Sequence, residues 1–100
     1  MIYFQVDRAM SSVKNEYMVW FKEAAKKFYP FKGSLMVIYS RIMGLSYPEY
    51  LRYVRDVHGA RISGKNQLYP SVLFPTKEAA EQFAKILDTR FSQIQKIINK

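Results

Sequence analysis

The sequence contains no cysteine. That absence removes disulfides, thiolate metal ligands and thiol nucleophiles together. Histidine is almost as scarce, with His58 alone. A metal site needs several His, Cys or carboxylate ligands at close spacing, and the eight acidic residues are scattered along the chain. No metal and no cofactor are expected. Long apolar runs are missing as well. None exceeds the five residues of Leu35–Tyr39, whereas a bilayer core needs roughly 20, so no membrane partner is expected. The opening stretch Met1–Asp7 carries no basic leader ahead of an apolar segment, which reads as an intracellular, cytoplasmic chain and not a secreted one. Glycine is sparse: Gly33, Gly44, Gly59 and Gly64 stand singly as punctuation and form no phosphate-cradling loop. No serine sits in a nucleophile-elbow context. Catalysis would have to come from Tyr, Lys, Arg and scattered carboxylates, so no catalytic residue is assigned and a non-enzymatic role is expected. His58 is read as a residue of a helix C-terminus, where a polar ring suits the free carbonyls.

What the chain does have is apolar bulk and positive charge. Of its 100 residues 49% are apolar and 16% aromatic. That is enough to exclude a wholly disordered chain, and the length fits one domain. Lysine plus arginine number 16 against 8 acids, a net charge of +8. Such an excess on one small domain is the electrostatic footprint of a polyanion binder. It is spread nearly evenly, at +3 in residues 1–33, +3 in 34–66 and +2 in 67–100. With no basic tail, any cationic surface has to be assembled by folding.

Hydrophobic spacing divides the chain into an N-terminal arm or short strand (1–10), a helical part (11–59), a β-hairpin (60–75) and a C-terminal helix (76–99). The fold class expected is α+β: a mostly helical single domain with one hairpin. In the helical part, Val13, Tyr17, Trp20, Phe21, Ala24, Ala25 and Phe28 recur at three- and four-residue steps, predicting a helix from a Ser11–Ser12 cap to about Tyr29. Ser34 to Met43 reads as a second helix ended by Gly44. Ser46-Tyr47-Pro48-Glu49 is a capping box opening a third, with Tyr47, Tyr50, Leu51, Val54 and Val57 as its buried stripe and Gly59 after its end. Gly64-Lys65-Asn66-Gln67 suits the turn of the hairpin. Ala80, Phe83, Ala84, Leu87, Phe91, Ile94 and Ile98 line the last helix, roughly 36 Å long if it spans 24 residues. Its distal end, with Ile94, Ile97 and Ile98, is a candidate homodimer contact.

The segment Met36–Arg55 has a further pattern. Ser40 is a small residue in mid-helix, Gly44 sits where a positive φ is needed, Leu45 follows it into the core and Ser46 caps the next helix. This spacing resembles a DNA-binding helix-turn-helix, and with the hairpin it resembles a winged form. The resemblance covers about 20 residues and departs from the usual pattern in placing tyrosines where smaller aliphatics are common. It implies a grip on duplex DNA through helix 46–58, with Arg52, Arg55 and Tyr53 on its outer side. Arg41 would meet phosphate, as would Lys22, Lys26 and Lys27, and Arg61 with Lys65 would form the wing. Two alternatives stand beside this reading. The composition is similar to that of small viral accessory proteins, which implies an inhibitor or adaptor docked on a nucleic-acid-handling or host-defence protein complex, with an acidic protein surface as partner. The third is a structural component assembling through the C-terminal helix.

Overall fold

The computed structural model describes residues 3–9, 15–26, 34–64 and 71–98. The chain opens with two strands, β1 (Phe4–Arg8) and β2 (Tyr17–Phe21), paired antiparallel with Phe4 opposite Phe21 and Val6 opposite Val19. The register puts Phe4, Val6, Val19 and Phe21 on one face, turned to the core, and Gln5, Asp7 and Trp20 on the other. Phe4 and Phe21 stack with ring centroids 5.0 Å apart. This hairpin replaces the helix expected over 11–29. Five consecutive apolar residues, Tyr-Met-Val-Trp-Phe, satisfy a three- and four-residue spacing and a two-residue alternation alike. Pairing with β1 decides for the strand, which aromatic and β-branched side chains favour. Trp20 accordingly lies on the outer face and not in a helical core stripe. Among the described residues of that span a single helical turn forms, α1 (Glu23–Lys26). The Ser11–Ser12 cap, Val13, Phe28 and Tyr29 lie outside the described residues.

The next two helices follow their expected bounds. Helix α2 (Leu35–Met43) begins where the Ser34 hydroxyl accepts the Val37 N–H and ends at Gly44, in the left-handed region at φ 71°. Two further constraints hold that end. The Leu45 N–H closes onto the Ser40 carbonyl at 2.9 Å, and Arg90 Nε donates to the Ile42 carbonyl at 2.9 Å. A guanidinium there satisfies a terminal carbonyl and opposes the negative end of the helix dipole. A Cβ on residue 44 would come within 3.2 Å of Arg90 Nη2, which would have to give way slightly; the positive φ is what favours glycine here. Helix α3 (Tyr47–His58) opens with the capping box: the Glu49 N–H donates to Ser46 Oγ and the Ser46 N–H to Glu49 Oε1. Gly59, at φ 68°, ends it.

Strands β3 (Arg61–Ser63) and β4 (Ser71–Leu73) form the expected antiparallel hairpin, Ile62 opposite Val72. Lys65 to Pro70 lie outside the described residues. One bridge joins the two hairpins: the Tyr17 and Phe74 backbones exchange hydrogen bonds of 2.9 and 2.8 Å. Helix α4 (Lys77–Ile98) starts where Thr76 Oγ1 accepts the Ala79 N–H. It lays Ala80, Phe83, Ala84, Leu87 and Phe91 into the core, packing on the first hairpin, α2 and α3, and stacks Phe83 on Phe74 just after β4. Ile94 packs on the core, and the side chains of Ile97 and Ile98 lie outside the described residues. The result is an α+β domain with one aromatic-rich core.

One core group is poorly served. Tyr50 is fully buried, and its hydroxyl meets no hydrogen-bond partner among the described residues. Tyr39 differs, since its hydroxyl donates to the Val19 carbonyl at 2.8 Å. A buried hydroxyl without a partner forfeits its hydration for nothing. Tyr50→Phe is therefore expected to raise stability by about 1–2 kcal/mol in urea unfolding. A loss of stability would mean that the hydroxyl has a partner.

Candidate nucleic-acid interface

The unit with the most local definition is α2, the turn Gly44–Ser46, α3 and the hairpin that follows. Its third helix is fixed at both ends, by the capping box and by the Gly59 turn, where the Ala60 N–H closes onto the Val54 carbonyl at 3.0 Å. Tyr50, Val54 and His58, spaced by four, face the core. Val57, expected in that stripe, is 63% exposed; the four-residue step carries the buried line to His58 instead.

The opposite side of α3 presents Arg52 and Arg55, both exposed and three residues apart, hence neighbours on one face. Arg55 Nε bonds its neighbour Asp56 at 3.0 Å, with both side chains more than 60% exposed. Arg52 lies near Glu49, whose carboxyl is held below its usual range mainly by the Ser46 hydroxyl and backbone, with a smaller contribution from Arg52. Arg41 is exposed in the last turn of α2. These three belong to the unit formed by α2, the turn Gly44–Ser46 and α3.

The remaining candidates are placed differently. Tyr53 is half-buried and its hydroxyl is 2.9 Å from His58 Nε2, so its polar end is engaged. Arg61 is held by Glu16 through two parallel bonds of 2.8 Å, Nε to Oε2 and Nη2 to Oε1. The carboxylate is 8% exposed and the guanidinium side chain 51%. Withdrawing Arg61 would take two charge-assisted bonds from a buried carboxylate, so this residue ties β3 to the start of β2. Lys22 follows β2 and lines a groove on the outer face of the first hairpin. Lys26 is placed only as the last backbone position of α1, and Lys27 and Lys65 lie outside the described residues. Two positioning residues had no local signal. Glu16 and Arg61 are 45 residues apart in sequence, and Arg90 and Ile42 are 48 apart.

His58 is a core residue and not a cationic cap. It is 8% exposed, with ring centroids 5.3 Å from Phe83 and 6.3 Å from Phe74. Burial lowers its pKa below the usual 6.5, which keeps the ring neutral at pH 7. The unfolded chain then binds the proton more readily than the folded one, so acidification favours unfolding. The stability tied to the neutral ring is complete above about pH 6.5 and is lost as pH falls from there toward the folded pKa. Thermal midpoints are expected to drop between pH 7.5 and pH 5 in the wild type and to stay nearly level in His58→Gln. Glu49, also lowered, acts in a separate window at and below the ordinary carboxylate range. An equal drop in both proteins would rule out His58 as the source.

Among the described residues no group of three or more His, Asp or Glu is placed to hold a metal ion, and no helix is long and apolar enough to cross a membrane. No family model matches the chain, and no curated protein or solved structure is significantly similar to it.

Proposed function

We propose that the chain is a small non-enzymatic protein that binds duplex DNA in the cytoplasm through the outer face of α3. The observation that carries this reading is the exposed pair Arg52 and Arg55 on a helix locked at both ends. A rigid helix presenting two guanidinium forks matches the width of the major groove, and each fork fits the two acceptors on a guanine edge. The turn before α3 and the hairpin after it resemble those of a winged helix-turn-helix, which supports the reading. Joining β2 to β4 through Tyr17 and Phe74 ties that hairpin to the body of the domain. Arg41 serves phosphate, and Arg61 acts indirectly by anchoring the wing on Glu16. The net +8 supplies the non-specific attraction.

The test is a mobility-shift or anisotropy titration with duplex DNA, single-stranded DNA and RNA. Duplex affinity is expected to fall about 10³- to 10⁵-fold between 50 and 200 mM salt if 6–10 phosphates are contacted, because neutralised phosphates release counterions. No binding to duplex at 50 mM salt would reject the reading.

A further inference from the structure

We propose that the outer face of the β1–β2 hairpin is a docking site for an arginine presented by a partner polypeptide. This surface is separate from α3, and the inference does not depend on DNA binding. The hairpin forms one side of an open groove of about 520 Å³. Trp20 is directly opposite Gln5 in the register and is 38% exposed, so the largest apolar side chain in the sequence stands partly in solvent. Asp7 lies two residues beyond Gln5 on the same face of β1, and Gln5 Nε2 donates to its Oδ2 at 3.0 Å, which orients the carboxylate. Glu23, the first residue of α1, Lys22, Phe21 and Leu35 line the same groove.

The local charge decides the occupant. In the whole chain bases outnumber acids two to one, whereas among the described residues the groove is lined by two carboxylates and one ammonium. A nucleic acid could stack a base on Trp20, but its phosphates would meet Asp7 and Glu23. A guanidinium meets no such conflict. Its plane stacks on an indole face, and its parallel donors fit a carboxylate edge-on. Lysine offers a point charge without the plane or the fork, so arginine is the better match.

Trp20 is the sole tryptophan, so its fluorescence reports the groove directly. The probes are a hexa-arginine peptide, a hexalysine peptide and oligothymidylate, titrated against the full chain at low salt. Hexa-arginine is expected to change the emission saturably and to bind about 5-fold or more tighter than hexalysine. The chain's net +8 opposes capture of either peptide elsewhere. Asp7→Asn combined with Glu23→Gln is expected to weaken hexa-arginine about 10-fold or more. Trp20→Phe, followed by calorimetry, should weaken it as well. Thermal unfolding of each variant checks that the fold is intact. Unchanged affinity in the carboxylate double variant would overturn the proposal. So would saturation of the wild type by oligothymidylate without a response to hexa-arginine. Loss of duplex binding in α3 variants leaves this result untouched, so the two readings fail separately.

Discussion

Replacing Phe83 with alanine is expected to cost about 3–5 kcal/mol, a large part of the 5–15 kcal/mol that holds a domain of this kind together. Phe83 is 1% exposed on α4. Its ring lies 5.4 Å from Phe74, 5.3 Å from His58, 6.0 Å from Tyr50 and 6.2 Å from Tyr53, centroid to centroid. It thus touches the end of β4 and three residues of α3 at once. Alanine would leave a cavity walled by aromatic rings, and rings held by separate backbone elements cannot collapse to fill it. The loss should also loosen the seat of α3, because the Tyr53–His58 pair packs against the same ring. Urea unfolding of Phe83→Ala against wild type measures the effect, with Phe83→Leu as a control expected to lose clearly less. A change below about 1 kcal/mol would mean that the core is not organised around this ring.

The contrast between α3 and β2 shows where sequence reading succeeds. Helix α3 announces itself because its determinants are local: Ser46 and Glu49 cap one end, Gly59 closes the other, and Tyr50 and Val54 mark the inner face. The second hairpin is similar, with Gly64 marking where Ile62 turns back toward Val72. Strand β2 carries no comparable mark. Its five apolar residues permit either period, and what makes them a strand lies elsewhere, in β1 and in the Tyr17–Phe74 bridge 57 positions along. The same holds for the site. Arg52 and Arg55 were readable as exposed because helical spacing places them opposite Tyr50 and Val54. The fixing of Arg61 by Glu16 is not readable, since the two are 45 residues apart and Glu16 lies just ahead of a strand whose spacing also fits a helix. His58 misled by polarity: its ring fills a space among Phe74, Phe83 and Tyr53 that the helix pattern alone assigns to Val57.

Replacing Arg52 and Arg55 together with alanine is expected to abolish measurable duplex binding while leaving the thermal midpoint nearly unchanged. A guanidinium bonded twice to a guanine edge contributes about 1–3 kcal/mol of discrimination, so each loss weakens a specific site about 5- to 150-fold. The objection is that Arg55 is already paired with Asp56. An exposed pair of this kind is worth only about 0–1 kcal/mol, less than a fork on guanine returns, so DNA can draw Arg55 away. Glu16 exerts a different hold on Arg61, because its carboxylate is buried and receives two parallel bonds from the guanidinium. The two arginines therefore separate in experiment. Arg61→Ala should lower the thermal midpoint and weaken binding through a loosened hairpin, whereas Arg52→Ala and Arg55→Ala should reduce affinity in a fold that melts as before. Asp56→Asn adds a directional control: removing the competing carboxylate should strengthen duplex binding by a few-fold at low salt. Anisotropy titration of the five variants beside their melting curves reads both quantities. Binding that survives the Arg52/Arg55 double replacement would show that α3 is not the surface that meets DNA.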